Sequence, residues 1–261
     1  MLAHTRTGSG EPLLLLHGIT HRRQAWDTVL PLLAPERDVV AVDLPGHGES
    51  EDLAEDYDGR AEALVDAVEG LARDLGFERP HVAGNSLGGL IALAMAARGT
   101  ARSATALSPA GFWSPVGRLW ARGVLGGASA ALRRMTPERI DRILASGAGR
   151  AALTGLIVAH PGRQDPAVLA ADLGGLSRPR HGFATMLGAL EGWTVPPASN
   201  VPTTVGWGSR DLLLPRRQIR RLQRALPDAH VLVLPGCGHV PMADDPALVA
   251  EVILAGSRVR H

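Results

Sequence analysis

The stretch HVAGNSLGGLIALAMAARG, residues 81–99, decides the reading of the whole chain. His81-Val82-Ala83 has the apolar character of a buried strand, and a helical pattern runs from Leu87 to Arg98. Between them stands Ser86, with Gly84 two residues before it and Gly88 two residues after. A reactive hydroxyl must be exposed, rigidly held and close to groups that stabilise negative charge. A strand-to-helix turn meets all three needs, because the helix start offers unpaired N–H groups and the positive end of its dipole. Such a turn crowds the backbone, so its flanking positions must be small, which is the G-x-S-x-G pattern. Taken alone, the motif also suits a flexible glycine-rich turn or an anion-binding helix start.

Working outward, short apolar runs recur at Leu13–Leu16, Val39–Val42, Ala104–Leu107, Thr203–Trp207 and Val231–Leu234. Each is apolar almost throughout instead of alternating, as expected of strands covered on both faces. Helical patterns lie among them at Gln24–Leu33, Arg60–Leu75, Pro215–Leu226 and Pro246–Ala255, the last begun by the cap pair Asp245-Pro246. This alternation predicts an α/β fold around a mostly parallel sheet. It breaks off over residues 110–197, where helix starts appear at Thr136-Pro137 and Asp165-Pro166. We read 1–109 and 198–261 as a core domain and 110–197 as a helical insertion resting on it. Its apolar residues, among them Phe112, Leu119, Trp120, Met135 and Trp193, are expected mainly to form a second small core. Trp113, Phe183 and Met186, with Val240 of the core domain, are the expected lining of a ligand pocket.

A serine hydroxyl is a weak nucleophile and needs a base. His239 in LPGCGHVPMADDP follows the last strand run, and Asp211 in VGWGSRDLLLP follows the one before it. Ser86, Asp211 and His239 all come after the C-terminal ends of strands, where open α/β sheets build their sites.

With LLLLHGIT, VVAVDLPGHGES, the serine turn, VGWGSRD and GCGHVP all present, the chain resembles the α/β-hydrolase fold superfamily from about Leu13 to Ala255. The resemblance implies a Ser–His–Asp triad of Ser86, His239 and Asp211, with an oxyanion hole from the backbone N–H groups of Ile19 and Leu87. The fold's other usual acid position reads Ser108-Pro109 and offers no carboxylate. His17 is expected to support the oxyanion loop, and Asp43 and His47 to serve a tight turn. His21 is expected at the surface, with reach toward a substrate as the alternative. Relatives usually carry one more strand ahead of the sequence that leads to His17, so seven strands are expected here, with the customary first one missing.

The function implied is a serine hydrolase of a small-to-medium apolar ester or thioester, acting through an acyl-Ser86 intermediate. A carbon–carbon bond hydrolase of the ring-fission type and a non-catalytic small-ligand receptor are the alternatives. Halide or epoxide chemistry is disfavoured, because such enzymes of this fold use aspartate where this chain has Ser86.

Composition excludes other classes. The net charge of +1 makes no electrostatic case for nucleic acid or an anionic membrane. All 27 basic residues are arginine, which removes lysine Schiff-base and P-loop chemistry. The basic run Arg216, Arg217, Arg220, Arg221 and Arg224 is expected to be a solvated helix face. Cys237 is the only cysteine, expected to be packed and unable to form an intramolecular disulfide. No metal-ligand spacing or dinucleotide fingerprint is present, so neither a metal nor an organic cofactor is expected. The opening residues MLAHTRTGSGEP lack the pattern of a signal peptide, and a cytoplasmic location is the expectation.

Overall fold

The computed structural model describes residues 2–52, 54, 57, 60–177, 185–187 and 197–258. Seven strands among them form one sheet: β1 (His4–Gly8), β2 (Glu11–Leu16), β3 (Arg37–Val42), β4 (His81–Asn85), β5 (Ser103–Leu107), β6 (Thr203–Gly208) and β7 (His230–Leu234). Their order is β1-β3-β2-β4-β5-β6-β7. Only β1 runs antiparallel to its neighbour, pairing His4 with Val42 and Gly8 with Asp38 at one edge. LAHTRTG therefore makes one strand, as its length allows.

The apolar runs are continuous because both faces of the sheet are covered. Leu13 and Leu15 point to one face, with Val39, Ala41 and Ala83, against α1 (Leu30–Leu33) and the C-terminal helix Pro246–Gly256. Leu14 and Leu16 point to the other, with Val40, Val42 and Val82, against α2 (Ala61–Asp74) and α3 (Leu87–Arg98). Period two assigns alternate leucines to opposite cores, so the run Leu13–Leu16 has no polar position to spare. The edge strand β7 departs from this pattern: Val233 is 42% exposed there, and no further strand lies beyond it among the described residues.

Two expected helices are interrupted. Gln24–Leu33 divides into a 3₁₀ turn at Arg23–Trp26 and α1, and Pro215–Leu226 into a 3₁₀ turn at Arg216–Gln218 and the helix Ile219–Ala225. Pro31 lies within α1, and Pro215 directly precedes the second 3₁₀ turn.

Between β5 and β6 come α4 (Pro115–Leu132), α5 (Pro137–Leu144), α6 (Gly147–Thr154) and α7 (Pro166–Ser177). The hydroxyls of Ser114, Thr136 and Ser146 cap the first three, accepting from Gly117, Arg139 and Gly149 N–H respectively. Leu132, Ile140, Leu144, Leu169 and Leu173 form a small cluster of their own beneath these helices. Leu119 and Trp120 do not join a core: they are 71% and 46% exposed on α4. Trp193 and Phe183 lie outside the described residues. No described helix is long and apolar enough to cross a membrane.

Because Leu14 is fully buried at the centre of the sheet, Leu14→Ala is expected to lower unfolding free energy by about 2–5 kcal/mol. Urea denaturation followed by tryptophan fluorescence measures it.

Candidate active site

Ser86 is the single residue between β4 and α3, and its backbone is held at φ 55°, ψ −110°. A left-handed φ at a residue with a side chain stores about 1–3 kcal/mol of strain, so neighbouring contacts must enforce it. Ser86 N–H donates to the Leu107 carbonyl at 2.9 Å, while Ser86 C=O accepts from Leu90 and Ala110 N–H, each at 3.0 Å. The flanking glycines are sterically obligatory. A Cβ on Gly84 would fall 2.2 Å from the Gly88 carbonyl oxygen, and one on Gly88 would fall 2.2 Å from that of Leu16.

His239 sits in the loop between β7 and the short helix Pro241–Asp244, and Asp211 in the loop after β6. His239 Nδ1 lies 2.9 Å from Asp211 Oδ2. The second carboxylate oxygen accepts from Leu214 N–H at 2.7 Å, and the Trp207 indole donates to the Leu214 carbonyl at 2.8 Å. Since a carboxylate only accepts, the proton belongs on Nδ1 and the Nε2 lone pair is left bare.

Two side chains that the sequence did not single out fix this loop. Asn85, next to Ser86, donates through Nδ2 to the His239 carbonyl at 2.8 Å and to Leu107 at 3.0 Å. The histidine loop is thereby tied to the serine turn itself. Asp244 accepts from Gly238, Ala159 and His160 N–H at 2.8, 3.0 and 2.8 Å, which joins the same loop to the segment after α6. Their only sequence signal is an amide inside an apolar strand end and an acid five residues past His239.

The amides of Ile19 and Leu87 donate to no acceptor among the described residues. Each belongs to a peptide plane whose opposite end is pinned twice. For Leu87 the pinned group is Ser86 C=O, described above. For Ile19 it is Gly18 C=O, which accepts from His21 N–H at 3.0 Å and from the His17 ring Nδ1 at 2.8 Å. Because the peptide is planar and trans, fixing each carbonyl fixes the direction of the N–H across from it. A Cβ on Gly18 would lie 3.3 Å from Ser86 Cβ, so this loop runs directly against the serine.

His17 also accepts from Leu44 N–H through Nε2 at 3.0 Å, so its tautomer is set by two backbone partners. Burial first, and then the neighbouring His47, hold it neutral, well below the usual histidine range. His47 places Nδ1 2.9 Å from Pro45 O and Nε2 2.8 Å from Ile19 O. It therefore braces the Ile19 segment as well as its own turn. Asp43 accepts from Arg23 and Glu49 N–H and pairs with the Arg23 guanidinium, closing that turn.

A model of the alpha/beta hydrolase family matches residues 13–252. The chain belongs to that family. It is 30% identical over 257 residues to the dihydrolipoyllysine-residue acetyltransferase component of the acetoin cleaving system of Pseudomonas putida. That match takes in 94% of this chain and 63% of the relative, so the chain spans under two thirds of that protein. It is 33% identical over 212 residues to the epoxide hydrolase EphH of Mycobacterium tuberculosis, covering 73% of this chain and 91% of the relative. The solved esterase of Thermogutta terrifontis superposes with a TM-score of 0.74 at 25% identity, over 97% of this chain and 92% of that one.

Val240, directly after His239, is 2% exposed and lines a pocket. Met186 is fully buried in the cluster that holds Ile19, Leu87 and Leu90, and Trp113 packs half-buried against the same cluster. Phe183, expected beside them, is outside the described residues. His21 departs from its expected surface position: it is half-buried and lines the same pocket as Val240. Cys237 is buried, its thiol pushed up to about 12 chiefly by loss of hydration, which keeps it protonated. Arg216, Arg217, Arg220, Arg221 and Arg224 are all exposed.

His17 stays neutral in the fold but protonates near its ordinary value of 6.5 when unfolded. The unfolded state then binds more protons below that value, so stability present above pH 6.5 is lost as pH falls, by up to about 1.4 kcal/mol per pH unit. Urea midpoints between pH 8 and 5 are expected to show this slope, reduced in His17→Gln. Asp244→Ala leaves one buried and two half-buried amides without their acceptor and is expected to lower the unfolding free energy by about 2 kcal/mol, read in the same titration.

Proposed function

We propose that this protein is a serine hydrolase that cleaves a small-to-medium apolar carboxylic ester or thioester through an acyl-Ser86 intermediate. The observation that carries the reading is the His239–Asp211 hydrogen bond, made in a loop that Asn85 ties to the strained serine turn. It leaves a bare imidazole nitrogen as the base a serine needs. Residues 110–197 act as a cap over a core domain of 1–109 and 198–261.

In this mechanism Ser86 Oγ attacks the carbonyl carbon while His239 Nε2 takes the hydroxyl proton. Asp211 stabilises the imidazolium that results. The tetrahedral oxyanion is met by the Ile19 and Leu87 N–H groups, whose fixed planes need no reorganisation as charge develops. Collapse breaks the bond to the leaving oxygen or sulfur, which departs with the proton from His239. Water, deprotonated in turn by His239, then attacks the acyl carbon, releasing the acid and restoring Ser86.

The same chemistry explains why the epoxide activity named for one relative does not carry over. Opening of an epoxide by a serine oxygen would form an ether, which has no carbonyl carbon for water to attack. An acyl substrate gives an ester intermediate that turns over.

Hydrolysis of p-nitrophenyl esters from acetate to laurate is the test. Ser86→Ala is expected to lower kcat about a thousandfold or more without changing the unfolding midpoint. Full activity in Ser86→Ala would sink the proposal. Silence across the series in well-folded wild-type protein would turn the reading to carbon–carbon cleavage or to a receptor.

A further inference from the structure

Exposed apolar side chains gather on the outer side of α4. Leu119 and Trp120 follow Val116 by three and four residues, which puts all three on one face of the helix, and Val116 is 75% exposed. The Trp120 indole N–H donates to the Leu212 carbonyl at 3.2 Å, which brings a fourth exposed apolar residue, Leu212, to the same place. From within, Ala121 of α4 shares a buried cluster with Leu213, Leu214 and Leu222. The helix and the segment after Asp211 are thus packed together through their inner sides, while Val116, Leu119, Trp120 and Leu212 face water.

The net charge of +1 is an average over the whole chain and hides a local excess in these two segments. Residues 110–137 hold four arginines and residues 212–227 hold five, and neither stretch contains an aspartate or a glutamate. Arg122, Arg210, Arg216 and Arg217 are all exposed. Arg122 lies two residues from Trp120 on the helix. Arg210 and Arg216 stand two and four residues from Leu212, which keeps their α-carbons within about 7 and 14 Å of it. The apolar group is therefore bordered by positive charge.

That combination selects among occupants. A second copy docked about a twofold axis would set the patch against itself, and its arginines against their own copies. Nucleic acid would match the charge, but it is held by stacking platforms, and three of the four apolar residues here are aliphatic. An anionic bilayer meets both features. Aliphatic and tryptophan side chains enter the boundary between headgroups and acyl chains, and the arginines beside them meet the lipid charge. Arg118 and Arg122 are the charged residues of α4, and the helix is not long and apolar enough to cross a membrane, so it would lie on the surface.

We propose that α4 and the segment after Asp211 form a docking surface for an anionic lipid bilayer. Val116, Leu119, Trp120 and Leu212 are the inserted group, and Arg122, Arg210, Arg216 and Arg217 are its charged border. None of these side chains belongs to the proposed catalytic machinery, so the surface stands apart from the ester-hydrolase reading. Because Leu212 directly follows Asp211, docking places the loop of Asp211 at the bilayer.

Co-sedimentation of the protein with vesicles of phosphatidylcholine, alone or with about 30% phosphatidylglycerol, is the test. We expect binding to the anionic vesicles to be about tenfold stronger or more, and to be largely lost at about 0.5 M salt. Arg216→Gln with Arg217→Gln should weaken it about tenfold, because each arginine near such a surface strengthens binding several-fold. Val116→Ser with Leu119→Ser should also weaken it about tenfold, at unchanged charge. Both positions are exposed, so the urea midpoint of that variant should match wild type. Equal binding to the two kinds of vesicle, or wild-type affinity in the serine variant, would overturn the proposal. A dimer in sedimentation equilibrium that the serine variant returns to monomer, without vesicle binding, assigns the face to a second copy. Binding of single-stranded RNA in place of vesicles assigns it to nucleic acid. Either of these results also disposes of lipid docking.

Discussion

The close approach of Gly88 to the end of β2 is the constraint on which the site depends. Gly88 N–H donates to the His17 carbonyl at 3.1 Å, and its α-carbon has no room for a side chain beside Leu16. That contact seats the start of α3 against the strand that leads into the loop of Ile19. The strain at Ser86 persists because hydrogen bonds from β5, α3 and Ala110 surround the residue and leave it no other conformation.

A second convergence brings the histidine loop to this turn, and it is made by backbone carbonyls and amides more than by side-chain packing. Asn85 reaches His239, Asp244 gathers Gly238 with Ala159 and His160, and Val240 N–H donates to Ile157 at 2.9 Å. The segment after α6 is thus wired to the loop that carries the proposed base. A displacement of those residues would be felt at His239, which links the arrangement of the segment after α6 to the histidine loop.

The neutral state of buried His17 belongs to the same design. His17 can accept from Leu44 and donate to Gly18 only as one tautomer, and burial holds it uncharged. His47 meets two carbonyls instead and braces Ile19 from the other side. Rigidity of the loop that carries Ile19 therefore comes from imidazole rings acting on the backbone. This explains why the residue at position 19 itself can be an apolar isoleucine.

Much of this was legible in the sequence. Continuous runs such as Leu13–Leu16 announced strands covered on both faces, and the glycines around Ser86 announced the turn, since both follow from local sterics. The order Ser86, Asp211, His239 placed three candidates after strand ends. Local pattern could not tell that Asn85 and Asp244 would hold the histidine loop, because their partners lie 154 and 85 residues away at the farthest. Nor could it tell that Leu119 and Trp120 face solvent while His21 turns into a pocket. Periodicity says which residues share a face of one element, and only packing says what that face meets.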